Sequence, residues 1–169
     1  MPRCKNCKEK FEPVRFNQKY CLESGCVKVW VQVEKQKKWK KDKARIKKEL
    51  MTKSDYIKIL QQLVNKYIRQ RDGNFCISCN KKVNGKIDAG HMFSVGNYPS
   101  VRFDERNINS QCIKCNQYNG GSLLEYRKHL INKIGLEEFE DLEMLAHRNR
   151  IYDIEELKEM IAKYKELTK

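Results

Sequence analysis

Residues 76–116 read CISCNKKVNGKIDAGHMFSVGNYPSVRFDERNINSQCIKCN. The stretch opens and closes on a C-x-x-C pair, Cys76–Cys79 and Cys112–Cys115. Two thiolates this close can grip one tetrahedral Zn²⁺ from a tight turn, and a second pair closes the site. Between the pairs lie a single histidine, His91, an irregular loop marked by Gly96, Asn97 and Pro99, and then Asn107. Asn116 follows the last cysteine directly. With all four zinc positions filled by sulfur, such an ion has no open place for water and is structural. Any chemistry here must come from the polar residues the zinc holds in place.

The remaining cysteines repeat the arrangement. Cys4, Cys7, Cys21 and Cys26 make a second Cys4 set, so all eight cysteines are used. The N-terminal MPRCKNCKEKF carries no apolar export segment, and no apolar run is long enough to span a bilayer. The expectation is a cytoplasmic protein without membrane attachment. There, close cysteine pairs are metal ligands rather than disulfides. No βαβ pattern surrounds any pair, which argues against a redox role.

Charge points to the partner. The chain of 169 residues carries 36 Lys and Arg against 22 Asp and Glu, a net charge of +14. Residues 1–51 hold 16 of the cations and only 6 of the acids. A field of this sign draws polyanions, so DNA or RNA is the expected partner. Residues 1–26 form a small zinc module, with Phe11, Phe16 and Tyr20 expected as its miniature core; such a piece needs its metal to fold. Residues 27–51 read as a basic helical arm. Lys35, Lys37, Lys38, Lys40, Lys41, Lys43, Arg45, Lys47 and Lys48 occupy nine of the fourteen positions 35–48, a density that suits phosphate contact.

Residues 52–135 make the expected core. A helix over 54–71 is capped by Ser54, carries its apolar stripe on Tyr56, Leu60, Leu63, Val64, Tyr67 and Ile68, and ends at Asp72-Gly73. Asn84-Gly85 marks a hairpin turn, and Lys86–His91 the strand that leads to the site. Ser122-Leu-Leu-Glu125 matches a capping box opening a helix that stops near Gly135. Residues 136–169 add helices over 137–147 and from Asp153 to about 167. In the last helix Ile154, Leu157, Ile161, Tyr164 and Leu167 form one stripe, suited either to packing on the domain or to a homodimer seam.

Phosphodiester cleavage needs an activated water, charge stabilisation at phosphorus and help for the leaving 3′ oxygen. A neutral His91 can take the water's proton near pH 7. Asp88 and Asn116 offer the hard oxygen donors that suit Mg²⁺ or Mn²⁺. Asn107 completes the catalytic set by fixing the turn and orienting His91.

The pattern Cys76-x-x-Cys79, His91, Asn107, Cys112-x-x-Cys115-Asn116 resembles the zinc-stapled HNH, or ββα-metal, nuclease class. More narrowly, AGHMFS, SVRFDERNINSQCIKCNQYNGG, YRKHLINKIG and the N-terminal CKNC and YCLESGC resemble the phage NinG family, also called Rap, across most of the chain. The resemblance implies an α+β fold with a ββα-metal, treble-clef-like core, two structural Zn²⁺ and one catalytic divalent ion. It also implies endonuclease action on branched recombination DNA such as Holliday junctions and D-loops, leaving 5′-phosphate and 3′-hydroxyl ends. One position departs from the class: many HNH nucleases have Asp or His just before the base, whereas here it is Gly90. Asp88 shares the strand face of position 90, and Asp104 and Glu105 are the fallback acids. The rival reading is a non-catalytic zinc-finger adaptor that binds nucleic acid. A sequence-specific HNH nuclease is disfavoured, because no separate base-reading domain is evident.

Overall fold

In a computed structural model describing residues 1–169, both zinc-type sites open with the same backbone device. In the first, Arg3 pairs with Lys10, Cys4 N–H donates to Glu9 C=O (2.8 Å) and Lys8 N–H returns to Cys4 C=O (3.0 Å). In the second, Phe75 pairs with Lys82, Cys76 N–H donates to Lys81 C=O (3.0 Å) and Asn80 N–H to Cys76 C=O (2.9 Å). Lys8 and Asn80 both take the left-handed conformation, with φ of 65° and 51°. That turn aims the two sulfurs of each C-x-x-C to one side.

The chain divides into two compact units, Met1–Met51 and Thr52–Lys169. In the first unit, helix α1 spans Ser24–Glu49. The expected division at residue 26 therefore falls inside a helix: Cys26 lies in its first turn and is buried against Cys4 and Phe11. Burying the fourth thiolate requires the arm to begin at the metal site. Beyond that turn α1 is solvated, and all nine Lys and Arg of positions 35–48 are exposed. Long-chain polar residues favour helix intrinsically, and Lys47 and Lys48 in the last turn complement its dipole. The miniature core holds Phe11 and Tyr20, but not Phe16, which is 98% exposed.

The second unit contains α2 (Lys53–Asp72), β1 (Ile87–His91), β2 (Ile108–Cys112), α3 (Leu123–Ile134), α4 (Leu136–Ala146) and α5 (Ile154–Leu167). The expected α+β class holds, with one two-stranded antiparallel sheet pairing Ile87 with Cys112 and His91 with Ile108. Leu60, Val64 and Ile68 of α2 pack on Leu157, Ile161 and Tyr164 of α5. That contact decides the use of the C-terminal stripe: its centre is domain core, while Ile154 and Leu167 at its ends stay 38% and 47% exposed. Residues 136–169 are thus part of the same unit. Phe139 and Leu142 of α4 close a second cluster on Tyr126 and Leu130 of α3.

Two caps differ from expectation. Thr52, not Ser54, caps α2, in a capping box closed by Asp55. Ser122 makes no cap bond to α3, because its backbone is left-handed (φ 47°) after Gly121 (φ 81°). The chain must reverse there between the last cysteine turn and α3, and this reversal overrides the local motif. Asp153 does cap α5, accepting from Glu156 N–H at 2.7 Å. No helix is long and apolar enough to cross a membrane.

Candidate functional site

The eight cysteines gather as two groups of four, Cys4, Cys7, Cys21 and Cys26, and Cys76, Cys79, Cys112 and Cys115. Within each group all sulfurs lie within 4.8 Å of one another. Zn–S bonds of about 2.3 Å place tetrahedral sulfurs roughly 3.8 Å apart, and Cys7 Sγ lies 3.8 Å from Cys21 Sγ. N–H groups also point at the sulfurs: Cys21 N–H at Cys4 Sγ (3.3 Å) and Cys115 N–H at Cys112 Sγ (3.4 Å). Burial acts to raise the Cys76 thiol's pKa, but the N–H groups of Cys112, Cys79 and Ser78 outweigh it, and the net shift is downward. The donor set, its spacing and its amide support all fit a four-coordinate zinc, so both clusters could hold one.

The second cluster fixes its surroundings. β2 ends on Cys112 opposite Ile87, which sets Asp88 one residue along β1. After Cys112 the chain makes a single π-helical turn, Lys114–Tyr118, carrying Cys115, Asn116 and Gln117. The result joins two expected ion ligands: Asn116 Nδ2 donates to Asp88 Oδ2 at 3.0 Å. Gln117 Nε2 donates to the same oxygen at 2.9 Å, a contact with no warning in the sequence beyond an amide next to Asn116. Asp88 Oδ1 and Asn116 Oδ1 make no protein hydrogen bond and remain available as hard oxygen donors. The fallback acids are engaged elsewhere. Asp104 is paired with Arg106 (2.9 Å), and Glu105 accepts from Tyr164 Oη (2.7 Å).

His91 ends β1 and is half-buried. Its Nε2 lies 3.2 Å from the Arg102 carbonyl. A carbonyl only accepts, so Nε2 carries the proton and Nδ1 keeps a free lone pair. Burial lowers the His91 pKa below the ordinary 6.5, the Arg102 carbonyl opposes that shift, and the Arg102 guanidinium adds to it. That guanidinium is held by Gln61 Oε1 (2.9 Å) and has no carboxylate partner. No hydrogen bond joins His91 to the Asp88–Asn116 pair, and side-chain alternation along β1 sends Asp88 and His91 to opposite faces.

Asn107 does not face a reacting group. It is fully buried; its Oδ1 accepts from Phe93 N–H (2.8 Å), and its Nδ2 donates to the carbonyls of Phe93 (3.1 Å) and Val101 (2.9 Å). Phe93 and Val101 of the 92–106 loop are therefore tied to one amide, next to the Arg102 carbonyl that His91 meets. These bonds suit the turn-fixing role expected of Asn107 within the catalytic set. A polar network running from buried Tyr126 out to the exposed Arg71 and Lys133 braces the strands. Tyr126 Oη donates to Gly90 C=O (3.0 Å). Asp72 accepts from Arg71 (2.8 Å), Lys133 (2.9 Å) and Ser110 N–H (2.9 Å). Burial acts to raise the Asp72 pKa, but these donors outweigh it and hold the carboxyl ionised below its ordinary range.

The glycine at position 90 has a steric cause. A Cβ built there would collide with Gln111 Oε1 and lie 3.1 Å from Gln111 Cβ. Gln111 cannot swing aside without loss, since its buried Nε2 donates to Ser78 Oγ (2.7 Å) and Gly121 C=O (2.6 Å). The space an acid at position 90 would occupy is taken by Gln111.

Taken together, the geometry defines an α+β protein pinned by two tetra-cysteine clusters, with a basic first unit and a polar site beside the second cluster. The profile of the family described as Bacteriophage Lambda NinG protein matches residues 1–169, and the chain belongs to that family. Protein ninG of Escherichia phage 933W is 37% identical over 185 residues, spanning 99% of this chain and 92% of its own. Protein ninG of Escherichia phage lambda is 36% identical over 187 residues (99% and 91%), and that of Salmonella phage P22 is 35% identical over 187 residues (99% and 92%). No solved structure matches the chain.

Two outcomes are expected from this geometry. Elemental analysis of protein purified without chelator should give about two zinc ions per chain, and Cys26→Ser or Cys115→Ser should each remove one. Gly90→Ala should destabilise the protein by roughly 1–3 kcal/mol in urea unfolding. Its cost should shrink in a Gln111→Ala background, a coupling that a double-mutant cycle reads directly.

Proposed function

We propose that this protein is a divalent-metal-dependent endonuclease of the HNH type, acting on branched DNA in phage recombination. The observation that carries the reading is His91: a half-buried imidazole with Nε2 committed to a backbone carbonyl and its pKa lowered, poised as a neutral base through Nδ1. Two further features support it. β1 and β2 pair with Cys112 opposite Ile87, and the short helical turn carrying Cys115 comes next, an order that supports a ββα reading. Asp88 and Asn116 meet at one point with an oxygen of each still open.

In this mechanism His91 Nδ1 takes the proton of a water whose oxygen attacks phosphorus, and the P–O3′ bond breaks to leave a 5′-phosphate and a 3′-hydroxyl. A divalent ion bound by Asp88 and Asn116 would supply charge neutralisation at the phosphate and the leaving oxygen. Gln117 orients the Asp88 carboxylate. Arg102, a cation without an acid partner, stands beside the base to offset phosphate charge. Because Asp88 and His91 leave β1 on opposite faces, the strand being cut must cross the end of β1 to meet both. The exposed cations of α1 grip backbone phosphates, contacts that carry little sequence information and suit recognition of branch shape. Resolving a four-way junction symmetrically takes two such sites, and hence two copies of the chain.

The second reading, a non-catalytic adaptor, draws on one observation: Asp88 Oδ2 is already satisfied by two amides. A labelled four-way junction incubated with the protein and Mg²⁺ or Mn²⁺ separates the two. Wild type should nick it, and His91→Ala should lose about 10²–10⁴-fold in rate while keeping both zinc ions and junction affinity. Asp88→Asn should also cut poorly, with partial recovery at high Mn²⁺. Equal cutting by His91→Ala removes the assignment, and tight binding without cleavage at any Mn²⁺ concentration establishes the adaptor. The working form of His91 is the neutral one. Its pKa is lowered, so kcat/KM should fall as pH drops through a midpoint below 6.5 and stay level from there to neutrality.

A further inference from the structure

The first unit holds an aromatic groove, most of whose lining its own core does not use. Phe16, Tyr20 and Leu22 from the cysteine loop, with Trp30 and Val33 from α1, line a cleft of about 650 Å³. The exposure of Phe16 is built in. Gln18 Oε1 accepts from Val14 N–H (2.9 Å) and Arg15 N–H (3.3 Å), Gln18 Nε2 donates to Tyr20 C=O (2.7 Å), and Lys5 N–H ties to Lys19 C=O (2.9 Å). Asn17 turns the tip in a left-handed conformation, φ 58°. A loop fastened this way shows its phenylalanine to solvent as a fixed surface. Apolar area held open on a soluble unit marks a contact site.

Charge names the occupant. The unit carries 16 Lys and Arg against 6 acids. Among the groove's cations only Lys37 is paired, with Glu34 at 2.6 Å; Lys5, Arg15 and Lys19 have no carboxylate partner. Aromatic faces ringed by free cations fit a nucleobase flanked by phosphates, since every base offers a π-face and stacking tolerates any sequence. A base inside a duplex is already stacked on both sides and cannot enter. We propose that this groove binds an unpaired base of single-stranded or branched DNA, stacked on Phe16 and Trp30, with Lys5, Arg15 and Lys19 on the neighbouring phosphates. The inference rests on DNA being the ligand, as in the nuclease reading, and it gives the first unit a means of telling a branch point from plain duplex.

Trp30 supplies the readout. The chain has two tryptophans, Trp30 in the groove and Trp39 further along α1 under Lys43. Full-length Trp39→Phe protein with both zinc ions verified is titrated, in buffer free of Mg²⁺ and Mn²⁺, with a dT oligonucleotide, a duplex carrying a single-stranded flap and a blunt two-strand duplex. Trp30 emission should be quenched by the first two and not by the duplex. Phe16→Ala should weaken dT binding about 10-fold at unchanged zinc content and duplex affinity, and Phe16→Tyr should restore it. Equal quenching by duplex, or an unchanged dT affinity in Phe16→Ala, overturns the proposal. No quenching by any DNA also overturns it. Cleavage is scored separately. Quenching by dT in a protein that never cuts a junction supports the groove while removing the nuclease, and cutting without quenching removes the groove alone.

Discussion

Four sulfur atoms held within 4.8 Å of one another are the constraint from which the second unit follows. As thiolates they repel, and as thiols they form a poor polar cluster; a bound cation turns the same arrangement into the strongest local bond available. Structural zinc sites contribute roughly 10–16 kcal/mol in small peptides, as much as the whole net stability of an ordinary domain. A zinc held there would let a sheet of two five-residue strands be the centre of a unit. The strands need not supply their own stability, because Cys112 ends one of them and the Cys76 turn is tied to it through Ile77 N–H and Ser110 C=O at 2.9 Å. The polar network of Asp72, Arg71, Lys133, Asn109 and Tyr126 adds matched donors and acceptors around β2, beside the apolar cluster that takes in Ile108.

What could be read in the sequence is what depends on spacing. The cysteine pairs, the stripe of α2, the Asp153 cap and the basic run of α1 each depend on residues close together in the chain, and each stands where spacing puts it. What could not be read depends on contacts between distant residues. Ser122 has a capping-box sequence, yet the reversal at Gly120-Gly121 gives it a left-handed backbone. Phe16 sits between two metal ligands as a core residue would, yet Gln18 folds the loop so that it points outward. Of the site residues, Asp88 and Asn116 were legible because ligand chemistry names them. Gln117 and Gln111 were not, because their roles arise only when β1 lies beside β2 and the π turn.

Gly90 shows how such a contact decides chemistry. An acid there would adjoin the base in sequence, but the Gln111 side chain fills that volume and anchors the cysteine turn through Ser78. The carboxylate is displaced by two residues to Asp88, which keeps the same strand face. The buried glutamine that braces the Cys76 turn is thus also what leaves position 90 without a side chain.

The two cysteine clusters begin with the same turn and part company at their last ligand. In the first, Cys26 sits in the opening turn of a long α-helix, so the site serves to launch the arm. In the second, Cys115 sits in a π turn closed by Asn119 N–H on Lys114 C=O at 3.0 Å. A π turn advances each residue by less than the 100° of an α-helix, which swings neighbouring side chains closer to one direction. Asn116 and Gln117 can then both reach Asp88, which adjacent residues of a regular helix do less readily. The same elementary metal turn thus gives a charged lever in one unit and a cluster of oxygen donors in the other. The difference lies in the few residues that follow the last sulfur.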